Sequence, residues 1–474
     1  MPTDSRETLR CDVAVIGAGT AGLAAERAAR ANGASTLLID PAYNGTTCAT
    51  VGCMPSKLLI AASHAAHAAR SAGTFGITVS AVGIDGRAVM QRVRDERDRF
   101  ARLTRESIAE IPDDIRLQGR ARFISPHCLE LDDGRRIEAR SVVIATGSAP
   151  FVPDEFSGLG KRLLTNETIF ELEDLPERMA VVGSGPIGLE LAQAMARLGV
   201  EVTLFDRGER LGGIRCDRVH AALKAIIEED LTLNLGVELE TRAKDESIEL
   251  SWSGASAGKS EFDYVLVATG RPPQLEGLDL SAAGLELDED GVPLHDRDSM
   301  QCGDSAIFLA GDVANDQPVL HEASHDGAIA GRNAVAYPAS APGQRFAPFA
   351  ITFTSPPVVR IGQSEEDGVI TGTADYSDQG RARVEGVNEG VLTLYAAAPD
   401  GRLIGADLCT PASEHLGHML AWAIQQEQTA TELLEMPFYH PTIEEGLKQA
   451  LRTICAATPL ALPEDQDRGT PSGA

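Results

Sequence analysis

The chain has 474 residues, enough for two to four domains, and carries 70 acidic against 42 basic side chains for a formal net charge of −28. That charge argues against nucleic acid and anionic membrane as partners. No run of 18 apolar residues is present, so no transmembrane helix is expected; Met1-Pro2-Thr3-Asp4-Ser5-Arg6 lacks the apolar stretch of a signal peptide, and the expected compartment is the cytoplasm.

Val13-Ala14-Val15-Ile16 is a short apolar run that reads as a buried parallel strand. Gly17-Ala18-Gly19-Thr20-Ala21-Gly22 follows, then a helical stretch from Leu23 to Ala31 and a second strand, Ser35 to Ile39, ending at Asp40. This is G-x-G-x-x-G between a strand and a helix. Gly17, Gly19 and Gly22 permit the turn and let backbone approach a pyrophosphate at the helix N-terminus. Asp40, 23 residues after Gly17, is placed to accept a ribose hydroxyl.

Next comes Gly45-Thr46-Thr47-Cys48-Ala49-Thr50-Val51-Gly52-Cys53-Met54-Pro55-Ser56-Lys57. Positions five apart on a regular helix sit roughly 8.6 Å from Cα to Cα, whereas a disulfide wants less than about 7 Å. Bonding Cys48 to Cys53 therefore requires distorted backbone, which Gly52 makes cheaper. Pro55 fits the first turn of a helix beginning just beyond it. On this stretch alone, two unrelated buried thiols and a redox pair both remain open. The other cysteines, Cys11, Cys128, Cys216, Cys302, Cys409 and Cys455, show neither paired nor metal-ligand spacing, so neither a secreted disulfide framework nor a metal site is expected.

Arg87 to Ile111 reads as an amphipathic helix, with Val89, Met90, Val93, Phe100 and Leu103 as its apolar positions; it suits either a partner surface or a solvated face. The first pattern then returns. Ala180-Val181-Val182 is a strand, Gly183-Ser184-Gly185-Pro186-Ile187-Gly188 the loop, and Leu189 to Leu198 the helix. Val202 to Phe205 is the second strand, ending at Asp206, again 23 residues after the first glycine. The halves also end alike, Val142 to Gly147 matching Val265 to Gly270. Gly183, Gly185 and Gly188 thus repeat the roles of Gly17, Gly19 and Gly22, and two bound dinucleotides are expected from a duplicated unit. Ala306 to Ala310 is a further strand leading into Gly311-Asp312, which suits a sugar-phosphate contact.

Tyr337 to Gly343 reads as a linker. Beyond it, strands over 349–353, 357–361, 382–387, 391–396 and 402–407, with helices around 414–425 and 429–434, suggest a mostly antiparallel α+β domain. The tail, Leu462 to Ala474, is polar and expected to be mobile.

Two dinucleotide sites beside a thiol pair suggest an electron path in which a nicotinamide, a flavin and the thiols exchange two electrons. Thiol exchange also moves protons. His440, in Tyr439-His440-Pro441-Thr442-Ile443-Glu444-Glu445, is the candidate acid–base group, with Glu445 as the carboxylate that orients it.

These motifs, in this order from about residue 10 to 455, resemble the flavoprotein disulfide reductases, and within them dihydrolipoamide dehydrogenase. The resemblance implies an α/β protein with two Rossmann-like dinucleotide-binding domains, for FAD and NAD, and a C-terminal α+β dimerisation domain. The implied boundaries are 1–150 for FAD and the redox disulfide, 151–272 for NAD, 273–345 returning to the FAD domain, and 346–474 for dimerisation. It implies that Cys48 exchanges with substrate, that Cys53 sits beside the flavin, and that Lys57 lies near the flavin and pairs with Glu190. FAD would be held by Gly17, Gly19, Gly22, Asp40, Lys57, Gly147 and Asp312, and NAD by Gly183, Gly185, Gly188, Asp206 and Gly270. The family is dimeric, and His440, backed by Glu445, would act on the disulfide of the partner subunit.

The implied reaction is NAD-linked oxidation of dihydrolipoamide, with a small dithiol or a lipoyl-bearing acyltransferase as partner. Asp206 favours NAD, because a carboxylate there repels a 2′-phosphate, while the nearby Arg207 and Arg210 allow some use of NADP. Two departures from the family bear on substrate: Ala49-Thr50 between the cysteines, and Pro273 where Asn is common. Competing readings are glutathione-type reduction, which Asp206 disfavours, and mercuric reduction, disfavoured by a lone Cys455 and the lack of an N-terminal metal-binding domain. Large thioredoxin reductases need a C-terminal redox pair that is missing. A flavin-binding protein without turnover would leave the thiols and His440 without a purpose.

Overall fold

The computed structural model describes residues 8–458 except 365 and 367; the tail from Leu462 onward, and the first residues, lie outside the described part. The chain divides into two compact units, Met1–Pro55 with Arg92–Phe151 and Gly270–Phe346, and Ser56–Gln91 with Val152–Thr269 and Ala347–Ala474.

In the first unit the strand Thr8–Ile16 lies between Thr36–Asp40 and Arg136–Ile144, all parallel, and Ile307–Leu309 adds in parallel to the latter. Arg116–Gln118 extends one edge in parallel, while Cys128–Leu131 and Ala121–Ser125 extend the other as antiparallel strands. Alternation along the central strands divides their side chains between two cores. Ala14, Ile16, Leu37, Ile39, Val142 and Ile144 join one. Val13, Val15, Leu38 and Val143 join the other, under the helices Thr20–Ala31 and Leu320–Ala336. Such continuous apolar strands are what a sheet covered on both faces requires.

The two helices touch backbone to backbone. A Cβ on Gly327 would fall 2.1 Å from the Ala21 carbonyl oxygen, and one on Gly331 would fall 2.3 Å from that of Ala25. Glycines one turn apart thus face alanines one turn apart, and no larger side chain fits at either glycine.

In the second unit, five parallel strands run in the order 232–235, 201–206, 178–182, 264–267, 163–164. A three-stranded antiparallel sheet, 237–243, 248–254 and 258–262, lies beside it. The C-terminal part is a five-stranded antiparallel sheet in the order 349–352, 358–362, 402–409, 391–397, 370–375. The helices Ser413–Gln425 and Leu447–Ala457 bury Leu416, Leu420, Leu447, Leu451 and Ile454 in its core. No helix among the described residues is long and apolar enough to cross a membrane.

Both duplicated halves form as read, with longer first strands and earlier helix starts. The Arg-rich segment is the helix Gly86–Ala109, whose Met90 and Val93 are buried while Leu103 is exposed. The C-terminal part needs three corrections. Residues 382–387, read as a strand, are the end of the helix Gly380–Glu385 and its cap: Gln379 accepts from the Ala382 N–H, Arg381 pairs with Glu385, and Gly386 closes the helix in the left-handed region. The strand Ile370–Asp375 and the helix Leu447–Ala457 lie where the sequence pattern gives no expected element.

The helix crossing makes a direct stability test. Gly331→Val should destabilise the protein by about 1–3 kcal/mol through overpacking. Gly73→Ala, where a Cβ would meet nothing within 4 Å, should be near neutral. Thermal melts of the two variants check this, and equal midpoints would remove the helix crossing as a constraint.

Candidate active site

The two cysteines sit on a broken helix. Thr47–Thr50 forms one short turn, Val51 and Gly52 interrupt it, and the helix Cys53–Ser71 begins at Cys53 itself. The expected helix start beyond Pro55 is thus at least three residues late. Pro55 occupies the first turn, where its missing N–H costs no helical bond. The break depends on Gly52. A Cβ there would lie 2.9 Å from the Thr47 carbonyl oxygen and 3.2 Å from the Cys48 Cα. The backbone folds back onto the residue beside Cys48, so glycine is needed here for space, at a negative φ.

The departure at Ala49-Thr50 also has a local account. Ala49 is buried. Thr50 donates its hydroxyl to the Thr46 carbonyl at 2.9 Å, and its methyl lies against the glycine that starts the stretch, 3.5 Å from a Cβ placed on Gly45. Cys48 is half-buried and Cys53 exposed.

The remaining thiols are in different surroundings. Burial pushes Cys11 and Cys302 up to about 12, with Asp12 adding to the effect on Cys11. Burial also raises Cys409, assisted by Glu389, and raises Cys128. Cys216 and Cys455 are buried. A thiol held protonated is a poor nucleophile, whereas Cys48 and Cys53 are both at least partly accessible.

Lys57, one turn beyond Cys53 on the same helix, meets Glu190 with 2.8 Å between Nζ and Oε2. The other Glu190 oxygen accepts from the Phe353 N–H at 2.9 Å. Lys57 Nζ also stands 4.4 Å above the Phe353 ring. Further along the helix Pro186–Arg197, Gln193 accepts from the Ser355 N–H and donates to its carbonyl; Arg197 donates to that carbonyl and pairs with Asp230 at 2.7 Å. Positions 190, 193 and 197 share one face of a helix. That polar stripe in an otherwise apolar helix was the available signal for Gln193, Arg197 and Phe353, none of which the sequence reading named.

The two glycine loops are near copies. Gly17 and Gly183 have φ of 104° and 105°, and a Cβ on either would sit 2.4 Å from a carbonyl oxygen, of Ala145 or Ala268. A Cβ on Gly22 or Gly188 would collide with the Gly17 or Gly183 oxygen at 1.8 or 1.9 Å. The middle glycines differ: around Gly19 and Gly185 a Cβ would meet nothing within 4 Å. Both therefore face open space at a helix N-terminus, the room a pyrophosphate needs.

The strand-end carboxylates match as well. Asp40 accepts from the Ala18, Ala42 and Tyr43 N–H groups, and Asp206 from those of Ser184 and Gly208. Each braces its own loop, a role the sequence reading did not assign. Asp312 accepts from the Ser148 hydroxyl at 2.9 Å, and Arg271 donates to the same Ser148 side chain and to its carbonyl. Gly147 and Gly270 both have positive φ and open space around them. Pro273, the other departure, pairs with Ser148 in an isolated bridge.

His440 and Glu445 come together as expected, with His440 Nδ1 3.0 Å from Glu445 Oε2. The Thr442 N–H donates to the same oxygen at 3.2 Å, and Lys448 Nζ approaches the other at 3.7 Å. The carboxylate side chain is 5% exposed and the imidazole 60%. A buried acceptor thus holds one ring nitrogen and directs the ring outward.

These features agree with what the chain is similar to. Residues 11–328 match the pyridine nucleotide-disulphide oxidoreductase family, and residues 349–451 match the dimerisation domain of that family. A mercuric reductase from Staphylococcus aureus is 31% identical over 94% of this chain and 82% of its own length. A dihydrolipoyl dehydrogenase from Bacillus subtilis is 30% identical over 93% and 97%. The crystal structure of LpdA from Mycobacterium tuberculosis superposes with a TM-score of 0.80 at 22% identity, covering 94% of this chain and 99% of that one. The match to the dimerisation domain supports a homodimer. The chain belongs to the pyridine nucleotide-disulphide oxidoreductases, enzymes that use FAD and NAD(P).

Proposed function

We propose that this enzyme oxidises dihydrolipoamide to lipoamide with NAD as acceptor, as a cytoplasmic homodimer whose substrate is a small dithiol or a lipoyl group on an acyltransferase. The observation that carries this reading is the outward-facing His440 held by the buried Glu445 at 3.0 Å. A dithiol must lose two protons as it is oxidised, and an imidazole is the side chain suited to take them near neutral pH.

In this reading 1–150 with 273–345 binds FAD, 151–272 binds NAD, and 346–474 makes the dimer. The first glycine loop with Asp40, Gly147, Asp312 and Lys57 holds FAD; the second with Asp206 and Gly270 holds NAD. When bound, these two cofactors supply the two-electron chemistry that returns the thiols to a disulfide.

The protein side chains carry the exchange. His440 of the partner subunit takes a proton from one substrate thiol, and the resulting thiolate attacks Cys48 Sγ. The Cys48–Cys53 bond breaks, and Cys53 leaves as a thiolate at the first position of its helix, where the helix dipole favours negative charge. The second substrate thiol loses its proton and attacks the sulfur of the substrate now joined to Cys48. Lipoamide closes, and the Cys48 thiol is released. Two electrons and two protons have then passed from substrate to enzyme. Glu445 stabilises the imidazolium and keeps Nε2 as the working nitrogen. Lys57, fixed by Glu190, places a positive charge one turn beyond Cys53.

A second reading, reduction of mercuric ion, is favoured by the S. aureus relative of that name. It asks for additional thiolates to deliver the ion, and Cys455, the one cysteine near the C-terminus, is buried beside Thr431. An NAD-linked assay comparing dihydrolipoamide, glutathione and mercuric ion separates the readings, and activity with mercuric ion alone would overturn the first.

Cys48→Ser should abolish lipoamide turnover while leaving electron transfer from NADH to artificial acceptors; lipoamide activity surviving in this variant would refute the assigned exchange. His440→Ala should lower kcat for dihydrolipoamide oxidation about 10²- to 10⁴-fold, the usual range for losing a general base. Glu445→Gln should produce a smaller loss with an altered pH profile, because the ring remains but its orienting charge is gone. Rates near those of the native enzyme in both variants would take the pair out of the mechanism.

A further inference from the structure

The strand that ends at Asp206 is followed directly by Arg207, and Arg210 lies three residues on. Two arginines beside the ribose end of a dinucleotide site would ordinarily suit a 2′-phosphate. Neither is available here. Arg207 Nη2 donates to Glu155 Oε1 at 2.9 Å, and its Nε stands 3.0 Å from Glu238 Oε2. Glu155 comes from the segment Asp154–Arg162 and Glu238 from the strand Val237–Ala243, and Thr241 of that strand donates its hydroxyl to the Glu155 carbonyl, tying the two carboxylate carriers together. Arg210 is used elsewhere: Nε donates to the Ile214 carbonyl, Nη2 to the Arg215 carbonyl and Nη1 to Asp217, each at 2.8 Å.

We propose that Glu155 and Glu238 are specificity-determining residues that hold Arg207 away from a 2′-phosphate and so enforce NAD over NADP. This rests on the reading that the second glycine loop binds the nicotinamide dinucleotide. Asp206 repels a 2′-phosphate on its own, but Arg207 would partly offset that repulsion if its guanidinium could turn towards the phosphate. The two glutamates remove that compensation and add their own negative charge. The first nucleotide loop has no such arrangement, because Asp40 is followed by Pro41 and Ala42. All three side chains are at least partly exposed, with Arg207 66% accessible. Exposed pairs are individually weak, so the glutamates tune the preference and Asp206 remains its base.

The test is binding of two probes that differ only in the 2′-phosphate, ADP-ribose and 2′-phospho-ADP-ribose, titrated calorimetrically into the flavin-loaded protein. The E155Q/E238Q variant should bind 2′-phospho-ADP-ribose roughly five- to tenfold more tightly than the native protein, consistent with loss of two surface pairs, with ADP-ribose affinity changed less than twofold. The gain should shrink as salt is raised, because it rests on an exposed charge pair, and should vanish in E155Q/E238Q/R207M. An unchanged affinity for the phosphorylated probe, or a gain that survives loss of Arg207, overturns the proposal while leaving the nucleotide site in place. Failure of ADP-ribose to bind the native protein overturns the reading of the second loop itself.

Discussion

The buried carboxylate of Glu190 is the point on which the second unit is organised. A charge taken out of water is costly unless it is paired and its lone pairs are used. Glu190 meets both conditions with groups from two other parts of the chain: the Lys57 ammonium from the helix that begins at Cys53, and the Phe353 N–H from the C-terminal sheet. Gln193 and Arg197 continue the contact along the same helix face to Ser355. The helix Pro186–Arg197 thereby fixes Lys57 on the helix that begins at Cys53 and the chain at Phe353 to Ser355. Removing Glu190 would take the acceptor from the part-buried Phe353 N–H and the carboxylate partner from Lys57.

A second constraint acts through space alone. In both nucleotide loops the first and third glycines are required because a Cβ would strike backbone carbonyls, at 2.4 Å in one case and below 2 Å in the other. The middle glycine meets no such contact, so its purpose lies in what approaches from outside. That division of labour between glycines in one motif separates fold from binding. Asp40 and Asp206 add to the fold side of that division, since each accepts an N–H from its own loop and so braces it.

Much of this was legible in the sequence because each feature had a local cause. The glycine loops and the strand-end aspartates fall where the strand–loop–helix spacing puts them, the cysteine stretch is interrupted as a close approach of its two thiols would require, and His440 meets Glu445. The C-terminal sheet was read less well, for reasons that lie in tertiary contacts. Ile370-Thr371-Gly372-Thr373-Ala374-Asp375 is a strand whose glycine breaks the apolar pattern. A Cβ on Gly372 would fall 2.1 Å from the Ala450 carbonyl oxygen. The strand was therefore missed because of the very helix, Leu447–Ala457, that was missed with it. Residues 382–387 failed in the opposite way. Ala382, Val384 and Val387 give a near-alternating pattern, yet Val384 is exposed and the Gln379 cap decides for helix. The pairing of Arg207 with Glu155 and Glu238 joins residues far apart in the chain, and no local pattern announces it.

The acid–base pair shows why exposure and burial must be read together. Glu445 alone is a buried carboxylate that needs donors, and His440, Thr442 and Lys448 surround it. His440 alone is an exposed imidazole, a kind of residue that usually has no fixed orientation. Coupled, the buried member holds the exposed one, and a surface imidazole acquires a fixed orientation. Tyr439, 83% exposed in the isolated chain, and Met436 lie on the same segment, and exposed apolar groups of this size beside a fixed base call for a covering surface. The match of residues 349–451 to a dimerisation domain provides one. An imidazole fixed by a buried carboxylate, turned outward and set among exposed side chains is the geometry that the proposed role of His440 towards a second copy of the chain requires.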